Sequence, residues 1–380
     1  MIELKSLSPN CWLNSFIHVF NFLKMEKKVE SWGHDSHGEE VFLIRLTNGK
    51  GDLVVLSNYG ARVVSIVVPD SLGICHDVVL GYYNLSDYIA GHEYFGSTVG
   101  RYANRIAHAK FSLDGVTYSV DKNCDANHIH GGSTGFSHRT WRLVETTEPN
   151  AIAFQIISPN GEGGFPGNLS TTVIYKWSES ATLSVSFLAT TDVKTVLNLT
   201  HHSYFNLAGE GNGTVENQIL QLNASRYLET DAALIPTGRL MPVENTHMDF
   251  RRPTSLKPGL ESKAKEIILG GGYDHCWVVD NYKGNLVEIA TLMDETSGRV
   301  MKVRSTLPGM QVYTTNMLND TVPGRAGRPY GSREAVCIEP QFFPDTPNHS
   351  DFPSCVVMPD QPFVHIIEYS FSCLKQEIQG

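Results

Sequence analysis

The segment from Leu197 to Leu207 carries two adjacent histidines within an alternation of apolar and polar residues. Such alternation is typical of a half-buried strand, and it would point Asn198, Thr200 and His202 to one face. His201 would point to the opposite face. An amide, a hydroxyl and an imidazole on one face are suited to line a polar cleft. Because the pKa of imidazole lies close to neutral, His202 could donate or accept a proton there, although both histidines could instead be ordinary surface or core residues.

Two carboxylates could complement this imidazole. Glu339 ends the apolar run 335–338, so partial burial is expected to raise its pKa toward neutrality, which suits a general base. Asp274 follows a run of three glycines and could project from a loop, or it could belong to an ordinary turn. A pair of carboxylates would also suit a glycosidase, and sequence spacing leaves that alternative open.

Two further polar clusters could position a substrate. The segment 100–106 (GRYANRI) is a polar loop that carries two arginines, although a solvated turn would have the same composition. His128 and His130 are predicted to share one strand face, and the two glycines that follow permit close backbone approach. A histidine pair of this kind could hold a metal. No carboxylate stands at a recognised ligand spacing, so we expect no metal site.

Composition restricts the classes of partner. The chain has 380 residues and a formal net charge of −10, which gives no basic footprint for nucleic acid or for anionic lipid. The seven cysteines are scattered and form no C-x-x-C pair, which argues against a disulfide framework and a structural zinc site. No apolar stretch reaches the 18 or so residues that a membrane span needs. We therefore expect a cytoplasmic protein.

The pattern along the chain predicts an all-β, antiparallel fold with few short helices. Short β-rich runs are separated by Gly, Pro, Asn and Asp, without helices between them. The segment 256–268 is the best helix candidate. We treat residues 1–33 as an N-terminal extension that is poorly ordered, and residues 34–380 as a single domain. The predicted strands cover residues 41–46, 53–56, 63–68, 152–157, 172–177, 183–188, 218–222, 276–279, 286–293, 300–304, 310–315, 335–339 and 363–371.

Taken in order, eight motifs resemble those of the galactose mutarotase (aldose 1-epimerase) family, and together they span roughly residues 38–372. The motifs are GRYANRI (100–106), HGG (130–132), GEGGFPG (161–167), NLTHHSYFNL (198–207), LIPTG (234–238), GYDH (272–275), PGMQVYT (308–314) and CIEPQ (337–341). The resemblance implies a large antiparallel β-sandwich with a sugar-binding cleft and no cofactor. It also implies the reaction, which is interconversion of the α and β anomers of a free aldose such as glucose or galactose.

The resemblance also implies roles for individual residues. Glu339 matches the general base that takes the proton from the C1 hydroxyl. His202 matches the general acid that protonates the ring oxygen, and His130 matches a second histidine at that oxygen. The residues that match those holding the sugar hydroxyls are Asn104, Arg105, Asp274 and Gln311. We expect base and acid on opposite sides of the bound ring, with Glu339 initially ionised and His202 protonated.

Two other functions remain open at this point. The chain could be a non-catalytic sugar-binding or regulatory protein on the same fold, although every matched catalytic residue type is present. It could also act on a different hemiacetal metabolite. The expected partner is a small-molecule sugar, with no nucleic acid and no membrane, and the protein is expected to be a monomer or a weak dimer.

Overall fold

A computed structural model describes residues 25–144 and 146–374 of the chain. Its strands are β1 (Glu26–His34), β2 (Glu40–Thr47), β3 (Leu53–Ser57), β4 (Arg62–Pro69), β5 (Cys75–Asp77), β6 (Ser97–Val99), β7 (Arg105–Ile106), β8 (Lys110–Leu113), β9 (Val116–Ser119), β10 (His128–Ile129), β11 (Arg142–Val144), β12 (Ala151–Ser158), β13 (Leu169–Trp177), β14 (Thr182–Thr191), β15 (Thr195–Val196), β16 (Thr200–His202), β17 (Ile219–Leu222), β18 (Arg226–Thr230), β19 (Pro236–Pro242), β20 (Thr254–Ser255), β21 (Asp274–Val278), β22 (Val287–Met293), β23 (Arg299–Ser305), β24 (Gly309–Tyr313), β25 (Cys337–Gln341), β26 (Val356–Val357) and β27 (Phe363–Cys373). The helices are α1 (Leu85–Ala90), α2 (Lys257–Leu260) and α3 (Lys265–Gly270).

Three larger sheets form the antiparallel β-sandwich that the sequence predicts. The first has the order β1-β2-β3-β4-β5, and the second has the order β19-β18-β21-β24-β25. The third has nine strands in the order β11-β12-β13-β14-β27-β23-β22-β17-β20. Alternation explains the strands: along β13 every second side chain, from Leu169 to Trp177, is buried.

One hydrophobic cluster joins the three sheets. It contains Ile44 of the first sheet, Ile338 of the second, and Val173 and Val303 of the third, all of them fully buried. Burial of this apolar surface is the main force that holds the sheets together. The second sheet therefore lies on a rigid base, and its strands β21, β24 and β25 can position polar side chains accurately.

The predicted helix over residues 256–268 is wrong as a single element. The segment forms two short helices, α2 and α3, because Ala264 is extended with φ −59° and ψ 141°. Gly259 in α2 packs against the hydroxyl of Tyr273, and a Cβ atom at this position would lie 1.6 Å from that oxygen. This close contact favours glycine at a position inside α2, and periodicity cannot reveal it.

The boundary of the predicted N-terminal extension also differs from the structure. Residues 26–34 form β1, which pairs along its length with β2. Trp32 packs edge-on against Tyr88 at 5.6 Å between ring centroids, and Lys27 donates a hydrogen bond to the carbonyl oxygen of Ala151. These contacts hold the strand on the body of the protein. The rest of the predicted extension, residues 1–24, lies outside the described residues.

None of the three helices in the described part of the chain combines the length and the apolar character that a membrane span requires. The six cysteines in that part are free thiols.

Candidate active site

Three neighbouring strands of the second sheet present polar side chains on one face. In the strand register Gln311 of β24 lies opposite both Cys276 of β21 and Glu339 of β25. Because side chains alternate along a strand, Asp274 shares the face of Cys276, two residues away. An amide and two carboxylates therefore converge on one face, and all three side chains are buried.

A second wall comes from the loop that precedes β7. Asn104 has a left-handed backbone, φ 63°, and its side-chain oxygen accepts a hydrogen bond from the N–H of Arg105 at 2.8 Å. The N–H of Asn104 donates to Nδ1 of His130 at 3.2 Å. Because Nδ1 accepts, a neutral His130 carries its proton on Nε2 and is a hydrogen-bond donor there. Burial, with His202 and Arg105 nearby, holds the pKa of His130 well below its usual value.

The third wall is β16, which pairs with β6 and ends at His202. The imidazole of His202 stacks nearly parallel to two aromatic rings. The ring centroid of Tyr204 is 4.9 Å away and that of Tyr94 is 5.8 Å away. His130 meets the same imidazole edge-on at 5.3 Å. These contacts fix the orientation of the His202 ring, and burial lowers its pKa to about 3.

All seven predicted site residues line one cavity of about 330 Å³, which we call the cleft. This volume is at the lower end of the range for small-molecule sites. The seven residues are Asn104, Arg105, His130, His202, Asp274, Gln311 and Glu339. The structure thus brings together side chains that are up to 235 positions apart in the sequence.

Several polar atoms in the cleft have no protein partner. Gln311 donates from Nε2 to Asp274 Oδ1 at 2.6 Å, and Arg105 lies 3.6 Å from Asp274 Oδ2. These contacts leave Nε of Arg105, Oε1 of Gln311 and Oε2 of Glu339 buried without a hydrogen bond. Buried polar atoms without partners are costly, so their presence here indicates a polar ligand. Donors and acceptors in this mixture are suited to hydroxyl groups, which both donate and accept.

The two proton-transfer candidates lie next to each other, not on opposite sides of the cleft as expected. Nε2 of His202 is 3.5 Å from Oε2 of Glu339, and the two side chains are 5% and 2% exposed. Burial raises the pKa of Glu339 well above its usual value, Asp274 adds to this effect, and Arg105 opposes it. The environment therefore favours neutral forms of both groups, whereas ionised Glu339 and protonated His202 were expected. Whether they form a neutral pair or an ion pair, Glu339 and His202 together carry one titratable proton.

Asn198 and Thr200 were predicted to lie on the same strand face as His202 and to line the cleft. Neither of them lines it. Asn198 donates to the carbonyl oxygens of Ala103 and Phe342 and accepts from the N–H of Phe342 at 2.8 Å. Thr200 donates to the carbonyl oxygen of Pro340 at 2.7 Å. Both side chains are fully buried and connect the segments that carry Asn104, His202 and Glu339.

His201 and His128, the partners of His202 and His130 in the two histidine pairs, also lie away from the cleft. His201 is fully buried between the rings of Tyr175 and Tyr369, which agrees with its predicted orientation. His128 packs edge-on against Phe165, and its Nδ1 lies 2.9 Å from a backbone oxygen. Within residues 25–144 and 146–374 no group of three or more His, Cys, Asp or Glu side chains could hold a metal ion.

The solvated-turn interpretation of segment 100–106 is wrong. Arg101 is 3% exposed, and its guanidinium donates five hydrogen bonds at 2.7–3.0 Å. The acceptors are the hydroxyl of Ser158 and four backbone oxygens in segment 158–167. Arg101 therefore fixes the loop that carries Arg105, and only the second of these arginines lines the cleft.

Sequence patterns did not identify several other residues of the cleft. Tyr204 could have been found, because it follows His202 by two positions and the strand alternation would place it on the same face. Glu93 and Tyr94 lie shortly before segment 100–106, and no motif marks them. The remaining lining residues are His92, Cys124, Ile129, Tyr313, Met317 and Leu318.

Comparison with known proteins identifies the family. Residues 43–370 match the family model described as aldose 1-epimerase. The chain belongs to the aldose 1-epimerase family. Among curated members, it is 35% identical over 333 residues to galactose mutarotase of Rattus norvegicus, covering 88% of this chain and 94% of the relative. It is 33% identical over 337 residues to aldose 1-epimerase of Escherichia coli, covering 88% and 96%.

Solved structures agree with this membership of the aldose 1-epimerase family. An aldose epimerase homologue from C. elegans superposes with a TM-score of 0.81 at 29% identity, covering 88% of this chain and 99% of the other. Galactose 1-epimerase from Lactobacillus acidophilus superposes with a TM-score of 0.82 over 93% and 100% of the two chains. At 24% identity the second likeness concerns the fold alone.

Proposed function

We propose that the chain is an isomerase that interconverts the α and β anomers of free aldoses. The observation that carries this proposal is the 3.5 Å separation of His202 Nε2 and Glu339 Oε2 within the cleft. In a cyclic aldose the C1 hydroxyl oxygen and the ring oxygen are bonded to the same carbon. An acid and a base that serve those two oxygens must therefore lie close together, as this pair does.

The reaction moves one proton in each direction. Glu339 takes the proton from the C1 hydroxyl while His202 gives a proton to the ring oxygen, and the bond between C1 and the ring oxygen breaks. The product is an open-chain aldehyde, with Glu339 protonated and His202 neutral. Rotation about the C1–C2 bond presents the other face of the aldehyde. The two transfers then run in reverse, so the pair regains its starting state with the sugar in the other anomeric form.

The other residues of the cleft hold the sugar. His130, with its proton on Nε2, is proposed to donate a hydrogen bond at the ring oxygen beside His202. Arg105, Asp274 and Gln311 form a connected set whose remaining donors and acceptors suit neighbouring hydroxyls. Asn104 orients Arg105. A sugar pinned at these hydroxyls can turn over only at C1.

Polarimetry of freshly dissolved α-D-glucose and α-D-galactose tests the proposal. The wild type is expected to accelerate the change in rotation, and Glu339→Gln and His202→Asn are each expected to lower kcat by about 10²–10⁴-fold. Glu261→Gln, an exposed residue beside α2, is the matched control and should behave as wild type. Acceleration no greater than that of buffer would contradict the enzymatic function.

The same experiment separates the alternatives. Sugar binding in an NMR titration without any acceleration would indicate a non-catalytic sugar-binding protein. Neither binding nor acceleration with several aldoses would favour another hemiacetal as substrate.

We further propose that the chain from β1 onward, and not only from residue 34, acts as a single domain, that the protein is a monomer or a weak dimer, and that it resides in the cytoplasm. The acidic net charge and the free thiols of the described cysteines are compatible with this location. Cell fractionation with and without residues 1–24 tests it, and organelle retention that depends on those residues would contradict it. Light scattering across a concentration series tests the oligomeric state.

A further inference from the structure

We propose that Glu93 is a specificity-determining residue that makes the cleft favour neutral and cationic aldoses over anionic ones. The inference rests on the proposed sugar-binding function and adds the class of sugar. Glu93 lies in the cleft wall, between α1 and β6, and belongs to neither the catalytic pair nor the set that holds the hydroxyls.

The charges of the cleft single out this residue. Arg105 is paired with Asp274 at 3.6 Å, so these two charges offset each other. Glu339 and His202 share one proton, so this pair has no net charge in either arrangement. Among the ionisable residues that line the cleft, Glu93 is the carboxylate left without a cation.

The described surroundings of Glu93 supply no lysine or arginine as a partner. Its Oε2 accepts a hydrogen bond from the Tyr204 hydroxyl at 3.5 Å. Besides burial, Asp320, another carboxylate, raises the pKa of Glu93, and the adjacent imidazole of His92 has a smaller, opposing effect. Asp320 in turn accepts from the hydroxyl of Tyr82 at 2.6 Å. In the described part of the chain no lysine or arginine forms an ion pair with Glu93 or Asp320. Burial, with Asp320 adding to it, raises the pKa of Glu93, as expected of a carboxylate in a negative environment.

The position of Glu93 couples its charge to the substrate. The ring of Tyr204 stacks on the imidazole of His202 at 4.9 Å, and its hydroxyl contacts Glu93. A sugar whose ring oxygen reaches His202 therefore lies about one side chain away from the carboxylate. In a partly buried site, a charge at such a distance changes the affinity for a charged ligand by about fivefold or more. Arg105 is already paired, so no described lysine or arginine of the cleft remains free to offset a carboxylate or a phosphate on the sugar.

Binding of three sugars of similar shape tests the proposal: glucose, glucuronate and protonated glucosamine, measured by NMR titration at low ionic strength. In Glu93→Gln, which keeps an acceptor for Tyr204, glucuronate is expected to bind about fivefold or more tightly than to wild type, relative to glucose. Glucosamine is expected to bind more weakly by a similar factor. Added salt should reduce the discrimination shown by the wild type.

Two further variants separate charge from position. Tyr204→Phe removes the hydroxyl contact without changing charge, so it should shift all three affinities by a similar factor. Asp320→Asn should move the ratios in the same direction as Glu93→Gln, but less, and it replaces that variant if Glu93→Gln does not fold. Equal effects of Glu93→Gln on all three sugars, or no effect, would overturn the inference.

Failure of the inference about Glu93 can be distinguished from failure of the proposed function. If the wild type binds the sugars but does not accelerate mutarotation, the catalytic proposal fails while the affinity ratios still test Glu93. If the wild type binds none of the three sugars, both proposals are overturned.

Discussion

Glu339 and His202 are two buried groups whose environment favours the uncharged form of each. The reaction conserves the proton count of this pair, because ring opening transfers one proton to Glu339 and one from His202. The ion pair and the neutral pair are therefore the two states between which catalysis alternates. A site that stabilised one of them strongly would slow the other half of the cycle, and desolvation opposes the Coulomb attraction that would otherwise favour the ion pair.

The pH dependence should reflect this shared proton. Because burial lowers the pKa of His202 to about 3, the pair resists a second proton until the pH approaches that value. Because burial raises the pKa of Glu339, the pair also keeps its one proton well above the ordinary value of 4.5. We expect kcat/KM from polarimetry to show a plateau whose acid limb lies below pH 4.5. A limb at or above pH 4.5, in protein that circular dichroism shows to be folded, would contradict the pairing.

Glu339→Gln should stabilise the fold while it removes activity. The pKa of Glu339 is raised in the folded state, so above pH 4.5 this residue ionises more readily in the unfolded chain. The free energy of unfolding therefore decreases as the pH rises. An uncharged amide removes that cost, and we expect a gain of about 1–3 kcal/mol at pH 8 and a smaller gain at pH 5. Urea unfolding at both pH values measures it. Glu261→Gln should show no such pH-dependent gain, and equal gains at both pH values would argue against burial as the cause.

At the scale of elements, single polar side chains connect segments that are distant in the sequence. Asn198 joins the loop of Asn104 to the end of β25, and Arg101 joins the same loop to segment 158–167. Both residues belong to motifs that look functional in the sequence. Their contribution to the site is indirect, because they hold the backbone from which Arg105 and Glu339 project.

Asn198→Ala should therefore affect both stability and catalysis. The substitution leaves the N–H and the carbonyl oxygen of Phe342 and the carbonyl oxygen of Ala103 without their side-chain partner. We expect a loss of about 2–4 kcal/mol in urea unfolding, together with a lower kcat in polarimetry. Asn285→Ala, at an exposed position, is the matched control and should change neither. Wild-type stability of Asn198→Ala would contradict this structural role.

The sequence predicted thirteen of the 27 described strands and the seven grouped site residues, since alternation marks the first and family motifs mark the second. It did not predict what depends on contacts between distant segments. The extended backbone at Ala264 divides a predicted helix, and the burial of Arg101 makes segment 100–106 an internal connection between two loops. Glu93 reaches the cleft through the fold alone, so neither composition nor spacing could indicate it. The roles proposed for the seven residues stay predictions until the variants are measured.

On the scale of the whole molecule, the order of strands in the nine-stranded sheet matters most. The last strand, β27, lies between β14 and β23, so it joins two halves of the sheet that are far apart in the sequence. Its residues Ile367 and Tyr369 are fully buried in the core that all three sheets share.

Deletions at the two ends should consequently differ. Removal of residues 363–380 should abolish cooperative unfolding, because it exposes two sheet edges and opens the core. Removal of residues 1–24 should leave both the melting temperature and the mutarotation rate close to wild type, since all seven site residues and the three sheets lie beyond it. Circular dichroism and polarimetry on the two truncated chains measure this. A folded, active chain without β27 would contradict the topology.

The central place of β27 also sets a constraint on biosynthesis. A ribosome that has released the first 350 residues has delivered every side chain of the cleft, yet the strand that joins the two halves of the large sheet is still missing. The nascent chain meanwhile presents β14 and β23 as open edges, the kind of surface that chaperones bind and that pairs wrongly with other chains. Completion of the large sheet and of the core beneath the cleft must then wait for translation to finish, so the yield of active protein should depend on chaperone supply.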